Sequence, residues 1–111
     1  MEEKNKLSAI ADYLKELLPG CVIENTWNRW LDNDPYTLLD SYGNKIHKLE
    51  GIFIDCGNQD EFAFNLFHPM VTARLDELDA NYTYELFDGQ HCDHMFERLI
   101  VSMNYCCQYL N

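Results

Sequence analysis

Basic residues are scarce in this chain: eight lysines and arginines stand against 19 aspartates and glutamates, a net charge of −11 at neutral pH. That balance argues against nucleic acid as a partner, because phosphates would be repelled rather than neutralised. Long apolar runs are missing too. None approaches the roughly 20 residues that span a bilayer, and no basic-then-apolar leader opens the chain, so no membrane is expected and the location read from the sequence is cytoplasmic. Repeats and low-complexity segments are absent. With 47% hydrophobic and 14% aromatic residues, the 111-residue chain reads as one globular domain at most.

Paired-cysteine spacing is lacking as well. Cys21, Cys56, Cys92, Cys106 and Cys107 are odd in number, and two are adjacent, so they read as reduced thiols serving as small buried hydrophobes. No separated pair of metal-ligand knuckles is present, and no cofactor is expected. The sequence His91-Cys92-Asp93-His94, with His68, supplies metal-ligating side chains in one place only. The plainer reading is a reactive-type histidine followed by a histidine at a helix start. Cys92 adjoins His91 in sequence, and adjacent side chains rarely aim at each other, which counts against a cysteine nucleophile.

What is present alternates between helix and strand. Leu7, Ile10, Leu14 and Leu18 predict a helix over Asn5–Leu18, stopped by Gly20, which tolerates a left-handed backbone. Residues 24–34, rich in Asn and Asp, read as an irregular loop. Asp34-Pro35 predicts a capped helix start, with the helix running to about His47. Ile52–Cys56 reads as a strand covered on both faces, and residues 57–60 as its loop. Phe64–Leu78 reads as an amphipathic helix with Pro69 near its first turn. Tyr82–Phe87 reads as a second strand ended by Asp88-Gly89, and His94–Leu110 as a last helix. Two strands joined by a helix are expected to be parallel. Trp27 and Trp30, with Tyr36, either line an acyl or aromatic pocket or anchor a loop to the core.

Each strand ends in a chemically useful residue: Asp60 after the first and His91 after the second. A carboxylate that orients an imidazole, which in turn takes a proton from a nucleophile, is the logic of a hydrolytic triad. Asp55-Cys-Gly57-x-x-Asp60, then a helix ending Leu75-x-x-Leu78, then Tyr82-x-Tyr84-Glu85-x-Phe87-Asp88-Gly89-x-His91 resembles the C-terminal part of an esterase family of α/β-hydrolases. That family includes enterochelin-esterase-type and S-formylglutathione-hydrolase-type enzymes, which cleave esters and thioesters with a Ser-His-Asp triad. The similarity covers roughly residues 27–110, leaving residues 1–26 as an unassigned N-terminal helix and linker. It implies a partial α/β-hydrolase fold, with the last two parallel strands and their flanking helices, in which Asp60 is the triad acid and His91 the triad base.

The nucleophile is what the chain lacks. Serines occur at Ser8, Ser41 and Ser102, none of them within Gly-x-Ser-x-Gly, the strained turn that presents the hydroxyl above the sheet. The oxyanion-hole segment is missing too. Two expectations follow. One is a C-terminal esterase piece that hydrolyses esters or thioesters only when completed by a nucleophile-bearing N-terminal half. The other is a non-catalytic module that self-associates through its unfinished sheet. In either case a homo-oligomer is expected, with an apolar interface at the N-terminal helix or the Ile52–Cys56 strand.

Overall fold

A computed structural model of the chain describes residues 12–20 and 22–110. The described residues form two compact units that divide between Ser41 and Tyr42, within one helix. In the first unit, residues 12–17 are helical (α1). Residues 5–11 of the expected Asn5–Leu18 helix lie outside the described residues, as does Cys21. Gly20 has φ +83°, the left-handed backbone anticipated for it.

The stretch read as an irregular loop instead forms a helix, α2, over Glu24–Leu31. Ile23, Trp27, Trp30 and Leu31 recur at helical spacing, and that apolar periodicity outweighs the turn preference of Asn25, Asn28 and Asp32. Trp27 and Trp30 lie 6.3 Å apart, ring centre to ring centre. Together with Leu14, Val22, Ile23 and Thr26 they line an apolar groove of about 230 Å3, which does not include Tyr36. Helix α3 spans Pro35–Ile46. Its start is set by Asp34, whose Oδ2 accepts the Thr37 backbone N–H at 2.7 Å while proline occupies the first helical position. Leu39, on this helix, is buried.

The second unit holds the sheet. Strand β1 (Ile52–Gly57) and strand β2 (Tyr82–Phe87) are parallel, in a register that places Ile52 beside Tyr82 and Asp55 beside Glu85. Helix α4 (Phe64–Glu77) connects them, and helix α5 (Met95–Cys107) follows. Alternate strand residues point to opposite faces. Phe53 meets Tyr105 of α5, and Arg98 of α5 bonds both Asp55 and Glu85. Tyr84 meets His68 of α4, and Tyr82 donates to Asp76. The two helices therefore cover opposite faces of a two-stranded parallel sheet, a mixed helix-and-strand arrangement of partial α/β type. The cover is thin, and the buried apolar side chains of this unit are Cys56 and Leu75.

Three local expectations are corrected. Pro69 lies in the second turn of α4 rather than the first, where it removes one rung of the helical ladder. Residues 52–55 of β1 are half-buried rather than fully covered. Among the four described cysteines, all free thiols, Cys56 is buried, while Cys92, Cys106 and Cys107 are exposed. The adjacent pair falls at the C-terminal end of α5.

Candidate active site

Both strands end where the backbones of their loops are laced together. Asn58 N–H donates to the Phe87 carbonyl at 2.8 Å and Gln59 N–H to the Gly89 carbonyl at 2.9 Å. Asn58 Oδ1 accepts the Gly89 N–H at 3.2 Å, and Gln59 Nε2 donates to Asp88 Oδ1. Gly57 permits this approach. A Cβ added there would sit 2.3 Å from the Gly89 carbonyl oxygen and 2.7 Å from that of Gln90. These are backbone atoms that cannot swing aside, so glycine at 57 is what allows the second loop to lie against the first.

The lacing brings Asp60 and His91 together at one end of the sheet. Asp60 is almost fully buried, and its Oδ2 lies 2.7 Å from His91 Nδ1. Its Oδ1 accepts the backbone N–H groups of Phe62 (2.9 Å) and Phe64 (3.3 Å), and the Cys56 thiol donates to Oδ2 at 3.7 Å. Burial alone raises the carboxyl pKa. The bonds from His91, Phe64 and Phe62, together with the charge of His91, outweigh it and hold the group below the ordinary carboxylate value. An ionised carboxylate only accepts, so His91 Nδ1 carries a proton and the Nε2 side of the ring points away from Asp60.

The backbone of His91 is held as well, its N–H donating to Glu61 Oε2 at 2.9 Å. The His91 ring, 38% exposed, is flanked by Phe62 and Phe64 at 5.0 and 5.3 Å. It opens onto a groove of about 590 Å3 whose walls include Phe64 and His68 of α4 and Met95 and Leu99 of α5. Three residues beyond Asp60 and three beyond His91, the chain turns into its next helix through a left-handed residue: Ala63 at φ 62° and His94 at φ 56°. Such strained positions persist where surrounding structure over-determines them.

Neighbouring groups are less suited to proton transfer or attack. Burial, followed by the charge of Asp60, pushes the Cys56 thiol up, so it stays protonated and inert. Burial pulls His68 down against the charges of Asp60 and Asp55, and its Nδ1 is buried without a partner. In the sequence, His68 stands out only as a candidate metal-ligating side chain alongside His91 and His94. Its spacing of four from Phe64 places it on the helix face beside the Asp60 loop, and that spacing was the available signal. Ser102 lines the groove, but it is in mid-helix and gives its hydroxyl to the Leu99 carbonyl at 2.9 Å. Ser41 is exposed in α3, and Ser8 lies outside the described residues. Among the described residues, no group of three or more His, Cys, Asp or Glu side chains could hold a metal ion, and no helix is long and apolar enough to cross a membrane. No family model, curated protein or solved structure matches the chain.

Proposed function

We propose that these residues are the acid-and-histidine portion of a serine-esterase-like α/β-hydrolase, acting on esters or thioesters once a nucleophile is supplied from outside the 111 residues. The observation that carries this reading is the 2.7 Å contact between buried Asp60 and the Nδ1 of His91, at the carboxyl end of two parallel strands. Ligands of open α/β sheets bind at that edge. Asp60 fixes the tautomer and orientation of the imidazole. Nε2 takes the proton of an incoming hydroxyl as its oxygen attacks the acyl carbon, and Asp60 stabilises the imidazolium that forms. His91 then returns the proton to the departing alcohol or thiol, and water repeats the sequence to release the acid. Phe62 and Phe64 give the apolar part of an acyl group a surface beside the ring.

The test is to express this chain together with the reading frame immediately upstream of it and to assay p-nitrophenyl acetate. The expected result is hydrolysis that needs both parts and falls on the order of 10^4-fold with Asp60→Asn or His91→Ala. Hydrolysis indifferent to His91→Ala, or none at all from the combination, would overturn the reading.

A further inference from the structure

Among the described residues, one edge of strand β1 carries no strand. Ile52 N–H bonds the Asn81 carbonyl and Asn58 N–H bonds the Phe87 carbonyl, so the backbone groups of the even-numbered residues 52–58 face β2. In a parallel pair the alternate residues then face away. The N–H and C=O groups of Phe53 and Asp55 therefore point outward along the opposite edge, and the two-stranded sheet leaves them without a strand partner. The groove beside this edge is walled from both faces of the sheet, by Phe64 and His68 on one side and by Met95 and Leu99 on the other. Met95, Leu99 and Met103 form an i, i+4, i+8 row on α5, and each is more than half exposed. Helix α5 leans on β1, through Tyr105 on Phe53 and Arg98 on Asp55, so the row flanks the open edge.

We infer that this edge pairs with the same edge of a second copy, antiparallel about a two-fold axis through Ile54. The outward groups, those of Gly57 included, admit more than one register, and the side chains select among them. Phe53 lies opposite Asp55 of the second copy and Asp55 opposite its Phe53, which keeps Asp55 from facing its own equivalent. Each of those pairs exchanges two hydrogen bonds, and Ile54 faces its own equivalent in the close, non-hydrogen-bonded position between them. The side chains agree with this register. Ile54 meets Ile54 on the α4 face, apolar against apolar. On the α5 face each Asp55, already bonded to Arg98 at 2.7 Å, faces an aromatic ring rather than another carboxylate. Pairing satisfies the exposed edge, continues the sheet to four strands and brings the two apolar rows of α5 toward each other. The net charge of −11 on each copy opposes association. Because that repulsion acts between solvated charges, salt weakens it and strengthens the dimer. The hydrogen bonds of the inferred pairing use the β1 backbone and not Asp60 or His91.

The experiment combines sedimentation with amide exchange on the full chain. A dimer that tightens with added salt is expected, with the Phe53 and Asp55 amides exchanging roughly tenfold or more slowly at high than at low protein concentration. A monomer throughout the micromolar range, or a dimer whose Phe53 and Asp55 amides exchange at unchanged rates, would overturn it. A cross-link reads the register directly, in a background of Cys21→Ser, Cys92→Ser, Cys106→Ser and Cys107→Ser. There Ile54→Cys, whose Cα would lie about 4.5 Å from its equivalent, forms a disulfide dimer on mild oxidation. Phe53→Cys, displaced along the strand from its own equivalent, does not. Equal cross-linking at the two positions would refute the register.

Discussion

Burial by itself would push the Asp60 carboxyl toward its neutral form, yet donors from His91, Phe64 and Phe62 hold it below the ordinary carboxylate value. A carboxyl lowered by folding contributes stability that is fully present above its unfolded pKa and is lost as pH falls through its folded one. The chain is therefore expected to lose stability as pH drops below about 4. Asp60→Asn should flatten that acid limb while making the protein less stable at neutral pH, and thermal melts across the acid range check both signs. Glu61 acts through His91, whose backbone N–H it accepts from an exposed position. Glu61→Ala should cost at most about 1 kcal/mol, as one exposed hydrogen bond does. It should nevertheless shift the ring 15N resonances of His91, and Glu61→Gln, which keeps an accepting oxygen, should restore them. Unchanged resonances in Glu61→Ala would show that Asp60 alone sets the ring. Asp60 and His91 were legible in the sequence because each trails an apolar strand run. Glu61 was not, because its role depends on where the other loop lies.

At the scale of elements, like charges on neighbouring strands set the problem that Arg98 solves. Asp55 and Glu85 are register partners, and the Arg98 guanidinium bonds both, at 2.7 and 2.6 Å, while stacking over Phe87 at 5.3 Å. Removing it strands two carboxylates side by side. Arg98→Met should cost about 1–3 kcal/mol by urea unfolding, below the range for fully buried pairs because Glu85 is 43% exposed and partly screened. Arg98→Lys should fall between, since a point charge cannot bond both acids in the fork geometry. Gly57→Ala would force its Cβ against the backbone of residues 89 and 90. A loss of about 1–3 kcal/mol is expected, with weakening of the Asp60–His91 contact, measurable as loss of the downfield Nδ1 proton signal. Strands β1 and β2 and helices α3, α4 and α5 were legible from their apolar patterns, and α3 also from the Asp34-Pro35 start, whereas the left-handed entries of α4 and α5 at Ala63 and His94 carry no cap signal. Helix α2 was not, since eight residues rich in Asn carry a turn signal as strong as their apolar spacing. Nothing in local sequence marks Arg98, for its partners lie 43 and 13 residues away.

For the whole molecule, the question is what a well-formed acid–histidine pair does when no described serine is placed to use it. Catalysis of acyl transfer divides among nucleophile, base and oxyanion stabilisation. Enzymes stripped of their triad keep about 10^3–10^4 of rate over water only because the oxyanion hole and substrate binding remain. On the proposed reading the hole, like the nucleophile, is supplied from outside these residues. Ser102 is tied to the Leu99 carbonyl, and the thiol of Cys56 is pushed up by burial and by Asp60. An imidazole held by a carboxylate can still deprotonate water, but without oxyanion donors the tetrahedral intermediate has no stabilisation beyond that of solvent. The isolated 111-residue chain is therefore expected to hydrolyse p-nitrophenyl acetate no faster than its His91→Ala variant, with no saturation in substrate. Comparing the two initial-rate curves at neutral pH decides it. A saturable rate abolished by His91→Ala would mean that a residue within the chain serves as the nucleophile. Alkylating the exposed Cys92, or substituting Ser102, would then identify which, because Cys92 is adjacent to the base in sequence and Ser102 lines its groove.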